Sequence, residues 1–355
     1  MVSVRTELVK DRDTWDAIVQ SFDRVDVRQG YDWGELRRRD GWTPTRLVAI
    51  QQDRPIAAVS VLRRRLPGLP INVMYVPRGP VVRDGGAKDG IAALFQELNA
   101  LATAEKVAFL RMSPLASQGE PDLPALLQSC GARALPDDFS TWNSPRIVMS
   151  LDLHGGETVV RGRMRKSTRQ SLDTAIRKGV KITDAGQRDD FLDLHRLVHL
   201  NAHRKGLPAR GADYFLGLHP LVEAGSGLLS FAELDNERIA AQFSVRYGQT
   251  LHILYYGVDP RFLPLGTARA LDWHHLKLAL SLGCRDVDFG GSGTHYPPRT
   301  QDFGYGVYQY KAGLGCQLRC LAGYHDMVYS RAQYGAFRLL ERRVLPLAWS
   351  LRARF

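Results

Sequence analysis

A single lysine at the end of an aromatic run is the residue with the clearest chemical use. Lys311 follows Val307 to Tyr310 (V-Y-Q-Y), which comes after D-F-G-G at positions 288–291 and a polar loop. The aromatic run predicts a short strand, and its lysine must face water, an anion or a place where negative charge develops. Without further context, an ordinary solvated lysine is the better interpretation, so a catalytic role depends on the rest of the chain.

Two further patterns place side chains that bind anions near one another. Arg210 and Tyr214 lie four residues apart, which puts both on one face of a helix, where they could grip one diphosphate. Tyr255 and Tyr256 end the predicted strand over residues 251–257 and must face opposite ways. One of the two is expected to face a cleft and the other the core. A capping loop with an amphipathic tyrosine is the simpler alternative for the first pair.

A third basic position lies near the start of the chain. Residues 29–41, Q-G-Y-D-W-G-E-L-R-R-R-D-G, predict a short helix with one apolar and one basic side. Arg37 lies on the basic side, directly before Arg38 and Arg39. A solvated arginine cluster explains the pattern as well as an anion site does.

Composition limits the class of protein. The chain has 355 residues, a formal charge of +11 and a pI near 9.6, which favours a polyanionic partner such as nucleic acid, a phosphorylated substrate or an anionic membrane. No H-E-x-x-H or G-x-S-x-G motif occurs, and the four cysteines form no C-x-x-C pair. We therefore expect no metal, no cofactor and a reducing cytoplasm. Neither a signal peptide nor a membrane-spanning run is predicted.

The predicted elements form two similar series. I-A-A-V-S-V begins at Ile56 and I-A-A-Q-F-S-V at Ile239, each after a strand and a polar turn. Each half also predicts helices, an antiparallel hairpin, and then strand, helix and strand. The remaining main predictions are a strand over 107–112, a long basic helix over 157–179, a helix over 267–282 and an amphipathic basic tail over 330–355.

The D-F-G-G, loop and Y-K-A-G-L-G sequence resembles the C-terminal signature of the Fem family, the non-ribosomal aminoacyltransferases of peptidoglycan cross-bridges. The segments W-G-E-L-R near residue 33 and Y-V-P-R-G-P at 75–80 resemble the family as well. The resemblance implies an α+β fold of two tandem GNAT (acetyltransferase-like) domains without a coiled-coil arm. It implies a first domain over 1–146, completed by 318–355, and a second over 147–317.

The resemblance also implies roles for single residues. Lys311 would be the catalytic cation, and Arg37, Arg210, Tyr214, Tyr256 and Tyr310 would bind substrate, with the first four near its phosphates. Arg37, Arg210 and Tyr256 would then converge on one diphosphate, so that Tyr256 would face the cleft and Tyr255 the core. The family often has an acidic residue before a proline where this chain has Ser113, so no catalytic acid is transferred to that position.

The implied activity is transfer of an amino acid from aminoacyl-tRNA to the stem-peptide amine of a UDP-linked or lipid-linked precursor. A monomer without cofactors, cytoplasmic or peripheral at the inner membrane face, is expected. One alternative is a GNAT-like N-acyltransferase that uses acyl-CoA. Against it, Leu263 and Pro264 stand in the loop that would bind the CoA pyrophosphate. A second alternative is a non-catalytic duplicate that binds nucleic acid or anionic lipid.

Overall fold

The computed structural model describes residues 3–83, 87–120, 122–136, 144–207, 209–293, 295–302 and 304–344. These residues form two compact units. The first unit holds the described residues up to Arg146 and those from Cys320 onward, and the second holds those from Ile147 to Arg319.

Groups of strands and groups of helices follow one another along the described part of the chain. Those up to residue 134 are β1 (Val4–Leu8), α1 (Arg12–Gln20), α2 (Tyr31–Arg38), β2 (Thr43–Gln51), β3 (Arg54–Arg65), β4 (Asn72–Pro77), β5 (Val81–Val82), α3 (Ala87–Ala104), β6 (Val107–Ser113), α4 (Asp122–Ser129) and β7 (Arg133–Ala134). Those of the second half as far as residue 258 are β8 (Ile147–Asp152), α5 (Gly156–Arg163), α6 (Lys166–Arg177), β9 (Lys181–Ala185), α7 (Asp190–Arg204), α8 (Ala212–Leu216), α9 (His219–Glu223), β10 (Gly227–Leu234), β11 (Glu237–Tyr247) and β12 (Thr250–Val258). The remainder are α10 (Thr267–Ser281), β13 (Asp286–Gly291), α11 (Tyr305–Gly313), β14 (Gln317–Cys320), β15 (His325–Val328) and α12 (Arg331–Leu339).

The first unit is built on one mixed sheet with helices on both faces. Its strands lie in the order β1-β2-β3-β4-β6-β15-β7, and β5 pairs with β3. Leu94, Phe95 and Leu98 of α3 are buried in one core, while Phe337 of α12 packs on Phe109, with ring centroids 4.8 Å apart, in the other. The segment after residue 320 therefore supplies both a strand and a helix to this unit.

The second unit has a sheet of similar design. Its strands lie in the order β14-β8-β13-β12-β11-β10-β9, with β12 and β13 parallel to one another. Helix α10 is fixed to this sheet by a buried histidine: His275 Nδ1 lies 2.6 Å from Ser244 Oγ, and its Nε2 lies 3.1 Å from Ser230 Oγ. Burial lowers the pKa of His275 to about 3, so the ring is neutral and serves to set the position of the helix.

The internal repeat predicted from the sequence is confirmed by two equivalent hairpins. The turn between β2 and β3 has positive φ at Gln52 and Asp53, and the turn between β10 and β11 has positive φ at Asp235 and Asn236. Two consecutive left-handed residues give the tight turn whose twist matches that of the strands it joins. The two I-A-A segments lie in β3 and β11, so the sequence repeat is a structural one.

Two predicted elements differ from the structure. The basic helix predicted over 157–179 is two helices, α5 and α6, because Met164 is extended and buried in the core while the Arg165 N–H donates to the Gly313 carbonyl at 2.9 Å. The predicted aromatic strand before Lys311 is the helix α11. Tertiary packing overrides the strand preference of its aromatic residues. A helix also allows the adjacent Tyr310 and Lys311 to face one cavity, which a strand would not.

No helix in the described ranges combines the length and apolar character required to cross a bilayer.

Candidate active site

A cavity of about 680 Å³ opens in the second unit, close to where two neighbouring strands stop pairing. Strand β12 pairs with β13 only from Thr250 to His252, after which β13 pairs with β8 alone. Leu254 is an extra residue in β12 that has no partner in the ladder with β11, and such bulges redirect side chains. The apolar lining comes from Leu207, Ile253, Leu254, Phe289 and Val307, and the polar lining includes Asn201, Lys205, Gln242, Tyr255, Tyr256, Asp272, Tyr310 and Lys311.

Lys311 lies in the wall of this cavity and is only 9% exposed. Its Nζ donates to the carbonyl oxygens of Phe289 and Gly291, both at 2.6 Å. Burial lowers the pKa of Lys311 to about 8, while nearby negative charges, including that of Asp288, act in the opposite direction. An ammonium has three donors, so one N–H remains available after the two carbonyls are satisfied. The two hydrogen bonds therefore hold the Lys311 ammonium at a fixed point of the cavity wall.

A carboxylate and a phenol stand beside this lysine. The Tyr310 hydroxyl donates to Asp272 Oδ2, and the Arg269 guanidinium lies 3.4 Å from the centroid of the Tyr310 ring. Burial raises the pKa of Asp272 to about 6, although the Tyr310 hydrogen bond and the charges of Arg269 and Lys311 act to lower it. Asp272 is therefore mostly ionised near neutral pH and places a negative charge at the cavity.

Gln242 and Tyr256, which also line the cavity, are cross-strand partners in β11 and β12. Gln242 is 0% exposed, and neither of its amide atoms has a hydrogen-bond partner within the described ranges. Burial, together with the charge of Asp272, raises the pKa of Tyr256, so its phenol stays protonated. A buried amide without partners costs about 1–3 kcal/mol, which marks Gln242 as a group that a ligand could satisfy.

The predicted anion-binding pair is close together but differs in detail. Arg210 precedes α8 rather than lying on it, and its guanidinium sits 4.1 Å from the centroid of the Tyr214 ring. The Tyr255 hydroxyl donates to the Tyr214 hydroxyl at 2.8 Å. Tyr255, which the sequence assigned to the core, is thus half-buried and connected to Tyr214. Phosphate binding by Arg210 and Tyr214 stays a prediction.

Arg37 belongs to the first unit. It lies near the end of α2, where its guanidinium pairs with Asp40 at 2.5 Å. Its predicted convergence with Arg210 and Tyr256 on one diphosphate stays a prediction.

The loop that would bind CoA pyrophosphate is closely packed. Gly266, with φ of +74°, is the N-cap residue of α10, and a Cβ at this position would lie 2.5 Å from the Ser171 carbonyl oxygen of α6. Thr267, the next residue, is 1% exposed. Helix α6 therefore covers the start of α10, where an anion would need access to backbone N–H groups.

Sequence reasoning missed Asp272 and Gln242, although both left a signal. Asp272 stands one and two helical turns before Leu276 and Ala279, which are fully buried, so a carboxylate occupies a core-facing position. Gln242 occupies the fourth position of the second I-A-A repeat, where the first repeat has the buried residue Val59. A polar residue in only one copy of a repeat indicates a role specific to that copy.

Comparison with known proteins identifies related chains. Residues 11–235 match the FemAB family, and residues 160–312 match an acetyltransferase (GNAT) domain. The chain is 25% identical over 230 residues to a lipid II:glycine glycyltransferase of Staphylococcus haemolyticus, covering 62% of this chain and 53% of that protein. A protein of the same name from Staphylococcus aureus is 25% identical over 235 residues, covering 63% and 54%. The chain spans about half the length of these curated relatives.

Solved structures show the same fold. The crystal structure of FemX matches with a TM-score of 0.84 at 18% identity, over 94% of this chain and 99% of that one. A tandem GNAT protein from the clavulanic acid biosynthesis pathway matches with a TM-score of 0.56 at 14% identity, over 92% and 98%. The α+β fold of two tandem GNAT-like units follows from these similarities and from the repeated hairpins.

Proposed function

The chain belongs to the FemAB family, and on this premise we propose that it is an aminoacyltransferase of peptidoglycan cross-bridge synthesis. The donor is an aminoacyl-tRNA, and the acceptor is an amine on the stem peptide of a UDP-linked or lipid-linked precursor. The glycyltransferase names of the curated relatives support the reaction class.

The observation that carries the proposal is the fixed ammonium of Lys311 in a largely apolar cavity. In the reaction, the acceptor nitrogen bonds to the ester carbonyl carbon and the carbonyl oxygen becomes an oxyanion. The intermediate then collapses, the bond to the ribose oxygen breaks, and the proton lost by the amine is balanced by protonation of that oxygen. The remaining N–H of Lys311 stabilises the oxyanion, so the residue acts through its charge and forms no covalent intermediate.

The anionic parts of both substrates match the basic character of the chain. We assign the precursor diphosphate to Arg210 and Tyr214, together with Arg37 and Tyr256 as the sequence predicts. The net charge of +11 favours the tRNA backbone and an anionic membrane surface. We place the reaction in the cytoplasm, at the inner membrane face when the precursor is lipid-linked.

An N-acyltransferase that uses acyl-CoA is the second candidate, favoured by the match to a GNAT domain. The covered start of α10 counts against it, because Gly266 lies against Ser171 where a pyrophosphate would bind. Titration calorimetry with acetyl-CoA is expected to give no binding heat, and micromolar affinity would favour this candidate.

The decisive experiment incubates the full chain with a panel of radiolabelled aminoacyl-tRNAs and either UDP-MurNAc-pentapeptide or lipid II. The expected product is a precursor heavier by one amino acid residue. Mass spectrometry of muropeptides from a deletion strain, which should lack one cross-bridge residue, tests the same reaction in cells. Failure of every aminoacyl-tRNA, with unchanged muropeptides, would reject the proposal and favour a binding-only duplicate.

A further inference from the structure

The buried amide of Gln242 is a polar group of the cavity to which the proposed reaction gives no role. It is 0% exposed, and neither its Oε1 nor its Nε2 has a hydrogen-bond partner within the described part of the chain. The equivalent position of the first repeat is Val59, also 0% exposed, so this fold packs well with an apolar residue there. An amide that the core does not need, and that faces a cavity, is suited to a ligand.

The charges around the cavity divide into two kinds. Lys311, held by the carbonyls of Phe289 and Gly291, supplies a cation, and the exposed Lys205 supplies a second. Asp272 supplies an anion, and the Tyr310 hydroxyl donates to its Oδ2 only. A carboxylate can accept several hydrogen bonds, so Asp272 can accept more from a ligand.

We propose that Gln242 and Asp272 form a subsite for the α-ammonium group of the aminoacyl donor. This inference rests on the proposed function. The donor ester carries a carbonyl oxygen that becomes negative and, one carbon away, an amino group that is positive. Lys311 complements the first group, while the Asp272 carboxylate and Gln242 Oε1 complement the second.

The geometry of the sheet supports a shared role for these two residues. Ser244, two positions from Gln242 on the same face of β11, contacts His275 of α10. Asp272 lies three residues before His275 on that helix, so Gln242 and Asp272 lie on facing elements that are locked together. Both line the same cavity. The subsite would select donors with a free α-amino group and disfavour N-acylated ones, because acylation removes the charge.

Calorimetry with stable donor mimics tests this directly. The probes are the glycyl, alanyl and seryl amides of 3′-amino-3′-deoxyadenosine, each with a free, an N-methylated or an N-acetylated α-amino group. The free amine is expected to bind about 10- to 100-fold more tightly than the N-acetyl form, the range of one charged hydrogen bond. The N-methyl form keeps its charge and should bind nearly as well as the free amine, which separates charge from size.

Two variants and one control variant test which residues cause the preference for the free over the N-acetylated probe. Asp272→Asn and Gln242→Leu should each reduce the ratio of the two dissociation constants by about tenfold. Val307→Ala, an apolar residue of the same cavity, should change both constants equally. Gln242→Leu should also raise Tm, since an apolar isostere removes an unpaired buried amide, whereas a structural glutamine would give a lower Tm.

The outcomes separate the subsite from the activity. Transfer from aminoacyl-tRNA with equal binding of free and acetylated probes would overturn the subsite and leave the proposed function standing. If the ratio of the dissociation constants for the N-acetylated and free probes were unchanged in both variants, the subsite would also be overturned. Water would then be the partner of the Gln242 amide. Absence of transfer from every aminoacyl-tRNA would reject the proposed function itself.

Discussion

The two units carry the same fold but use their buried charges differently. In the first unit, Arg111 is 0% exposed and its guanidinium is shared between the carboxylates of Asp326 and Glu341, which are also buried. In the second unit, Lys311 and Asp272 are buried beside a cavity and keep hydrogen-bonding capacity towards it. One copy of the fold uses ion pairs to hold a C-terminal segment, and the other holds charges ready for a ligand.

The repeated hairpin shows the same contrast at one position. Val59 and Gln242 are equivalent residues of the two I-A-A segments, and both are fully buried. The apolar residue completes a core, whereas the amide faces a cavity without a partner within the described residues. A buried polar residue without partners lowers stability, so its presence in only one copy of the fold indicates a functional role there. Functional residues of this duplicated fold are thus expected at positions where one copy packs less well than the other.

The largest expected effect comes from breaking the paired charges of the first unit. Arg111→Met leaves Asp326 and Glu341 buried without their shared cation, and the free energy of unfolding should fall by about 3–5 kcal/mol. Thermal unfolding should show the transition of the first unit moving down by several degrees. The exposed Arg342, on the turn that carries Glu341, provides a matched control, and Arg342→Met should stay within about 0.5 kcal/mol. Equal shifts in the two variants would contradict a structural role for the cluster.

The second effect is on catalysis in the second unit. Lys311→Met should reduce kcat by about 10²–10³, the usual loss when one oxyanion partner is removed. Loss of the hydrogen bonds to Phe289 and Gly291 should also cost roughly 1–3 kcal/mol in stability. Kcat must therefore be measured below the unfolding temperature of the variant, with the folded fraction checked by circular dichroism. Near-normal turnover by the folded variant would reject the oxyanion role.

Sequence reasoning could predict the elements and the repeat because both depend on local patterns. The I-A-A hairpins and their polar turns are each formed by neighbouring parts of the chain, and continuous apolar runs bounded by polar turns indicate their strands. It failed at α11 because aromatic residues such as those of V-Y-Q-Y favour strands, while the helix forms through packing against distant core residues. It also failed at residues 164–165, where a break in the helix is stabilised by the Gly313 carbonyl, more than a hundred residues away.

The site was predictable only in part for the same reason. Lys311 ends a recognisable motif, whereas Asp272 and Gln242 became notable through burial and the surrounding cavity. Tyr255 was assigned to the core because the family resemblance gave the cleft to Tyr256 and strand alternation places the two side chains on opposite faces. Its contact with Tyr214 depends on how α8 packs near β12, which no local pattern encodes.

A smaller effect is expected from the predicted phosphate pair of the second unit. Arg210→Ala should raise KM for the precursor by about 10- to 100-fold with little change in kcat, because one charged hydrogen bond worth roughly 1.5–3 kcal/mol is lost in substrate binding. Arg188→Ala removes the same charge at an exposed position and serves as the control. If both variants changed KM equally, general charge rather than a specific site would bind the diphosphate.

The smallest expected effect comes from varying the pH, which tests the contrast between the buried charges of the two units. Only the second unit is proposed to use a titratable cation in the reaction. The pKa of Lys311 is lowered by burial to about 8, so its charge is lost as pH rises through that value, and kcat should fall tenfold per pH unit above it. Stability should move in the opposite direction. The unfolded lysine has a pKa near 10.4, so between about pH 8 and 10.4 the unfolded state binds more protons, and this group's contribution to stability rises with pH. A falling rate without a falling Tm would therefore identify loss of charge rather than unfolding.

Lys311→Arg stays charged throughout this range, so its residual activity should lack the alkaline limb. The same limb near pH 8 in that variant would assign it to another group and leave Lys311 as a structural residue.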